Sequence, residues 1–198
     1  MSKQAELWGS EFGNDYHARN PQKDRRGFWQ GVIGDYSYRI KDVLEYGAGQ
    51  GDNLAAIREI VKPDGLFLGL DVNMAACNAM SKRGLAAGHG DFKDFEVKPA
   101  FFDLVITRGF LIHLDGHPLR LAFKQIYESA NKYICFAEYY SPKRRSISYH
   151  HYNDALWADD FAGKFMKLYP DVKIIKCGFD YHGMGGEDIT YFLMQKGG

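Results

Sequence analysis

The stretch DVLEYGAGQGDN, residues 42–53, constrains the fold more than any other part of the chain. A short apolar run meets three glycines at alternate positions, Gly47, Gly49 and Gly51, and then passes into the helix-forming segment NLAAIREIV. Glycine carries no Cβ, so it serves where a backbone must turn sharply or approach another molecule closely. A strand that turns directly into a helix is the first half of a βαβ unit, which needs a parallel neighbour and places its helix on the face of a sheet.

From Lys41 onward the chain supplies both. Short apolar runs alternate with amphipathic stretches, predicting strands over 42–46, 66–71, 86–90, 102–108 and 133–139, with helices over 52–61, 74–82 and 119–131. The polar, aromatic segment SPKRRSISYHHYND follows, too long for an ordinary connector, and then a predicted helix over 155–168. Two last strands, over 172–182 and 188–196, are separated by GMGGE and should pair as an antiparallel hairpin. The expectation is an α/β fold: a Rossmann-like, seven-stranded sheet, mostly parallel with a C-terminal antiparallel hairpin and helices on both faces. By analogy of fold this is the class I methyltransferase arrangement. It occupies residues 41–198 as a single domain, while residues 1–40, aromatic and charged without a clear period, form a helical cap on the sheet or a lid over a ligand.

Lys plus Arg and Asp plus Glu each number 25, so no net field favours nucleic acid or an anionic membrane, and a small-molecule substrate is the simpler expectation. Cys77, Cys135 and Cys177 are odd in number and far apart, and read as small buried residues of a reducing compartment. The sequence shows neither a signal-peptide pattern nor an apolar run of about 18 residues. A cytoplasmic location is therefore expected; the oligomeric state leaves no trace in the sequence.

The glycine turn also carries chemistry. Amides at the start of a helix attract an anion, while Glu45, just before the turn, can accept a hydrogen bond from an ammonium group. The spacing is ExGxGxG; a dinucleotide turn would place a glycine where Asp52 stands. A zwitterionic, adenosine-bearing cofactor, S-adenosylmethionine, satisfies these demands, with Gly47, Ala48, Gly49, Gly51 and Asn53 around it. Asp71, followed by Val72, closes the second predicted strand, where its carboxylate can bridge two ribose hydroxyls or cap the next helix. Asp91, after the third strand, can accept from an adenine amino group while the Phe92 amide meets the ring. In ITRGFLIHL, Arg108 can hold a carboxylate by a bidentate contact or pair with an acid such as Asp115. His113 can accept a proton or pack under a loop.

With these residues in view, the chain resembles the pseudaminic acid biosynthesis-associated methylases, a branch of the class I S-adenosylmethionine-dependent methyltransferases. EFGNDYHARN, LEYGAGQGDNL, FDLVITRGFLIHL, EYYSP, HHYNDALWADDFAGKFMKLYPD and DITYFLMQK carry the likeness, and KRRSISYHHY departs from it. The resemblance implies methyl transfer, with cofactor contacts at Glu45, Gly47, Gly49, Asp71 and Asp91. It also implies, through the company such proteins keep, a carboxylated nine-carbon sugar of the nonulosonic-acid type or its nucleotide-activated form as acceptor.

Substrate contacts are expected from Tyr16, Arg19 and Asn20 in the opening segment, from Tyr139 and Tyr140 after the fifth strand, and from Arg144 and Asp154 beyond. Candidate bases are His113, Glu138, Tyr139, Tyr140, His150, His151 and Asp154, with His150 or His151 preferred. The adjacent pair does not suggest a metal site, since neighbouring side chains in extended backbone point to opposite faces. Two other readings stay open: a nucleic-acid or protein methyltransferase, supported only by the basic run Lys143, Arg144 and Arg145, and a cofactor-binding sensor without turnover.

Overall fold

The computed structural model describes residues 6, 8–13, 22–61, 64–149, 152–184 and 186–197. Along the chain come α1 (Arg26–Ile33), a 3-10 segment (Gly34–Arg39), β1 (Val43–Tyr46), α2 (Asp52–Arg58), β2 (Phe67–Asp71), α3 (Met74–Lys82), β3 (Ala86–His89) and β4 (Phe102–Arg108). Then follow α4 (Gly116–Ser129), β5 (Ala130–Glu138), β6 (Arg145–Tyr149), β7 (Tyr152–Ala158), α5 (Phe161–Leu168), β8 (Lys173–Asp180) and β9 (Ile189–Gln195).

Seven strands join one sheet in the order β3-β2-β1-β4-β5-β9-β8. The first five run parallel, and β9 lies antiparallel between β5 and β8. This is the expected mostly parallel sheet with its terminal hairpin. After β1 the chain winds outward to β2 and β3, then returns to add β4 on the other side of β1. Loops leaving β1 and β4 therefore diverge, and a crevice opens at the carboxyl ends of these strands.

Alternation along each strand sends side chains to two buried faces, as parallel sheets covered on both sides require. Leu44 and Tyr46 face a core with Phe123, Ile126, Phe136 and Phe165, whereas Val43 joins Trp29, Ile33, Leu54 and Met80 on the opposite face. α4 and α5 cover the first face; α1, α2 and α3 cover the second. Trp29, Val32 and Ile33 of α1 are fully buried or nearly so.

Three local expectations are corrected. The helix expected over 155–168 begins only at Phe161, where Asp160 accepts a hydrogen bond from the Gly163 amide at 2.9 Å. The residues before it form β7, which pairs antiparallel with β6 in a two-stranded ribbon, Ile147 opposite Leu156 and Ser146 opposite Trp157. Their partner is the segment just before them, whose polar, aromatic composition reads as a loop until the two pair. The terminal hairpin connection runs over 181–188, longer than GMGGE. There Asp188 takes a positive φ of 55° and accepts the His182 amide at 3.0 Å, folding the tip back on itself. Finally, Cys77 and Cys135 are buried but Cys177 is exposed, because it sits on β8 at the open edge of the sheet. No helix among the described residues is long and apolar enough to cross a membrane.

Candidate functional site

A cavity of about 320 Å³ lies at the carboxyl ends of β1, β2 and β4. The glycine turn forms its floor. Gly47 and Gly49 have φ of 69° and 52°, a region that side-chain-bearing residues rarely adopt. A Cβ on Gly47 would stand 2.7 Å from the Phe110 ring. Gly51 has a different purpose: it does not line the cavity, and a Cβ there would strike Leu85 and Met80 at 2.7 Å. Its bareness lets α2 close onto α3.

The Gly49 amide is not left open as the turn alone suggested. It donates to Asp71 Oδ2 at 2.7 Å, and the Asn73 amide donates to Asp71 Oδ1 at 2.8 Å. These bonds fix the carboxylate in the cavity wall, where Asp71 and Val72 stand together. The capping role weighed for Asp71 belongs to Asn73, whose side chain accepts the Ala76 amide at 3.0 Å. Asp91 and Phe92 line the cavity beyond, and Asp91 Oδ2 lies 3.4 Å from Lys93 Nζ.

Glu45 differs from expectation. It is sealed on the α1–α2 face with no exposed surface and does not line the cavity. Asn53 donates to its Oε1 at 2.6 Å, and Trp29 Nε1 donates to Asn53 Oδ1 at 3.0 Å. Burial pushes the Glu45 carboxyl up to about 8. Asn53 does reach the cavity, and the Glu45 carboxyl holds its side-chain amide there.

At the end of β4, Arg108 is buried with its guanidinium 4.3 Å from the centre of the Phe28 ring. Its partner is not Asp115; Nη2 donates to Asp180 Oδ2 at 2.9 Å and to Glu187 Oε2 at 3.3 Å. Glu187 also pairs with Arg25 at 2.9 Å and with Lys23. Against the cost of burial, Arg25, Lys23 and Arg108 hold its carboxyl down at about 2. Three cations thus meet two carboxylates, and Arg108 Nε, Arg108 Nη1 and Arg25 Nε are buried donors without hydrogen-bond partners. Such donors are costly unless an acceptor arrives. An anionic ligand group in this corner, such as the carboxylate of an amino acid moiety, would satisfy them, so the residues fit the expected cofactor.

The lining also includes Trp8, Phe110, His113, Tyr139 and Leu156, which are mostly aromatic or apolar. The His113 ring lies edge-on to the Trp8 ring, centroids 4.8 Å apart. Glu138, a candidate base, is consumed by structure. It accepts the amides of Phe110 and Leu111 at 3.2 Å and of Ile112 at 3.4 Å, and burial pushes it up to about 7. Tyr140 is exposed and packs near Phe192. Arg144 lies outside the cavity, paired with Asp159 at 3.2 Å and set 4.0 Å from the centre of a Trp157 ring. Tyr16, Arg19, Asn20, His150 and His151 lie outside the described residues, and of Asp154 only the place on β7 is described.

The cavity therefore gathers Gly47, Ala48, Gly49, Asn53, Asp71, Val72, Asp91, Phe92, Arg108, His113 and Tyr139 from the expected set. Sequence reasoning missed Lys23, Arg25 and Glu187. Lys23 and Glu187 are 164 positions apart, and each sits in a segment that reads as solvated loop; only the density of charge in QKDRR hinted at a role.

The chain was compared with known proteins. Its fold superposes on that of the 1,6-didemethyltoxoflavin-N1-methyltransferase of Burkholderia thailandensis, with a TM-score of 0.76 at 12% identity over 98% of this chain and 87% of that one. A SAM dependent methyltransferase from Archaeoglobus fulgidus gives 0.67 at 14% over 94% and 99%. The O-methyltransferase from a trans-AT PKS multienzyme of Brevibacillus brevis gives 0.66 at 12% over 98% and 79%. No curated protein sequence matches the chain. The architecture is that of the class I methyltransferases, whose methyl donor is S-adenosylmethionine. Within it, residues 43–132, which include the glycine turn, Asp71, Asp91 and Arg108, match the family model described as a methyltransferase domain.

Proposed function

We propose that this chain transfers a methyl group from S-adenosylmethionine to oxygen or nitrogen of a small acidic molecule, in the cytoplasm. The acceptor is a nonulosonic-acid-type sugar or its nucleotide-activated form, as the sequence resemblance implies. One observation carries the reading: a single cavity joins the glycine turn and Asp71 at one wall to a cationic corner with unsatisfied buried donors at another. The modest cavity supports a small acceptor, and the structural neighbour from Burkholderia binds 1,6-didemethyltoxoflavin together with S-adenosylhomocysteine.

Asp71 receives the ribose hydroxyls, Asp91 and Phe92 receive the adenine, and Arg108 with Arg25 receives the carboxylate of the methionine moiety. Held there, S-adenosylmethionine would supply an electrophilic sulfonium methyl, and the surrounding residues would orient the acceptor toward it. His113, the one imidazole among the described residues that lines the cavity, takes the proton from the acceptor hydroxyl or amine.

Incubation with labelled donor and a panel of carboxylated sugars and their nucleotide-activated forms tests the reading by mass identification of a labelled product. Binding of S-adenosylhomocysteine without turnover of any acceptor would turn the chain into a sensor. The carboxylate corner has its own test. Arg25→Gln should weaken S-adenosylhomocysteine but leave 5′-methylthioadenosine, which lacks the amino acid, unchanged in calorimetry. Equal losses for both ligands would remove Arg25 from that role.

A further inference from the structure

We infer that Trp8 is a positioning residue: it holds the His113 imidazole at the cavity wall and links it to the wall that carries Asp71. The inference rests on the proposed function, because it gives His113 and Asp71 their meaning. Trp8 lines the cavity, as do His113, Asp71 and Asn73. Its indole lies edge-on to the His113 ring, centroids 4.8 Å apart, and edge-on to Phe12 at 5.3 Å. Its carbonyl oxygen accepts from Asn73 Nδ2 at 3.2 Å. Asn73 is itself buried and fixed, with its amide on Asp71 Oδ1 at 2.8 Å and its Oδ1 on the Ala76 amide at 3.0 Å.

Three contacts in series therefore connect the carboxylate assigned to the ribose with the imidazole assigned to the proton. Gly13 secures the turn behind the indole: its amide donates to Ser10 at 3.1 Å, and a Cβ there would overlap the Trp8 carbonyl oxygen at 1.9 Å. Asp71 and Asn73 are held by these bonds and tie the Trp8 backbone to the donor wall, so a donor bound at Asp71 is coupled through Trp8 to the His113 ring. The arrangement differs from a passive cover in that the indole touches the reacting group's side chain while its backbone is tied to the donor wall.

The test follows the imidazole of His113, identified by its loss in His113→Gln, in nitrogen–proton correlation spectra with and without S-adenosylhomocysteine. In the wild-type chain and in Trp8→Phe, the ligand should shift the His113 signals, because an aromatic ring and the backbone tie remain. In Trp8→Ala the ligand-induced shift should collapse and the dissociation constant should rise by about five- to ten-fold. A Trp8→Ala variant with the full shift and affinity within about two-fold of wild type overturns the inference. Should S-adenosylhomocysteine fail to bind the wild-type chain, the proposed function falls. The positioning is then read from the ligand-free spectra, where His113 signals unchanged in Trp8→Ala overturn it and signals displaced in Trp8→Ala but kept in Trp8→Phe support it.

Discussion

A carboxyl group sealed between β1 and α1 sets part of this protein's response to pH. Glu45 is raised from an ordinary value of 4.5 to about 8 by burial, the Asn53 bond only partly opposing it. A folded-state value above the unfolded one means the folded chain binds the extra proton. The associated stability is fully present below about pH 4.5 and is lost as pH rises through about 8. Glu138, raised to about 7, acts in the same direction. The difference in stability between wild type and Glu45→Gln should therefore move in favour of the variant from pH 5 to pH 8. Parallel denaturation curves across that range would show that Glu45 ionises freely. At Asp71 the issue is binding. Asp71→Ala removes a carboxylate and strands the Gly49 amide, and S-adenosylhomocysteine affinity should fall by about 1–3 kcal/mol in calorimetry. Unchanged affinity would place the ribose elsewhere.

Among the elements, the β1–α2 turn was legible because its meaning is local: φ of 69°, 52° and 77° at Gly47, Gly49 and Gly51 demand glycine wherever the rest of the chain goes. What the third glycine does was not legible, since Met80 and Leu85 come from α3 and the residues after it. Gly51→Ala forces a positive φ on alanine and a Cβ against both side chains, so it should destabilise the fold by about 1–3 kcal/mol in denaturant titration. Asp160→Ala removes the cap of α5 and should cost about 1 kcal/mol, with S-adenosylhomocysteine affinity unaffected because Asp160 does not line the cavity. β7 escaped the sequence reading for a related reason. Leu156 and Ala158 are buried at the two-residue spacing of a strand, but the helically spaced Phe161, Ala162 and Phe165 follow at once, and the expected helix extends back over both. The ladder to β6 marks where strand gives way to helix.

For the whole molecule, the cavity joins segments from the N-terminal residues, the sheet and the terminal hairpin, so ligand binding should stabilise the chain as a unit. S-adenosylhomocysteine at one hundred times its dissociation constant should add about 2.7 kcal/mol and raise the thermal midpoint by roughly 5–10 °C. A midpoint that does not move at that concentration would contradict binding to the folded state. The sequence by itself determined the alternation of strands and helices in the parallel half, the glycine turn and the two acids at the ends of β2 and β3, because each follows from periodicity, from steric freedom or from a position at a strand end. Only the tertiary structure decided that Glu45 is buried behind Asn53 and that Arg108 answers to Asp180 and Glu187. It also brought Lys23, Arg25 and Trp8 to the cavity. Those outcomes depend on which distant charges and rings the closed sheet sets side by side, and Coulomb and burial energies act through space, without regard to separation along the chain.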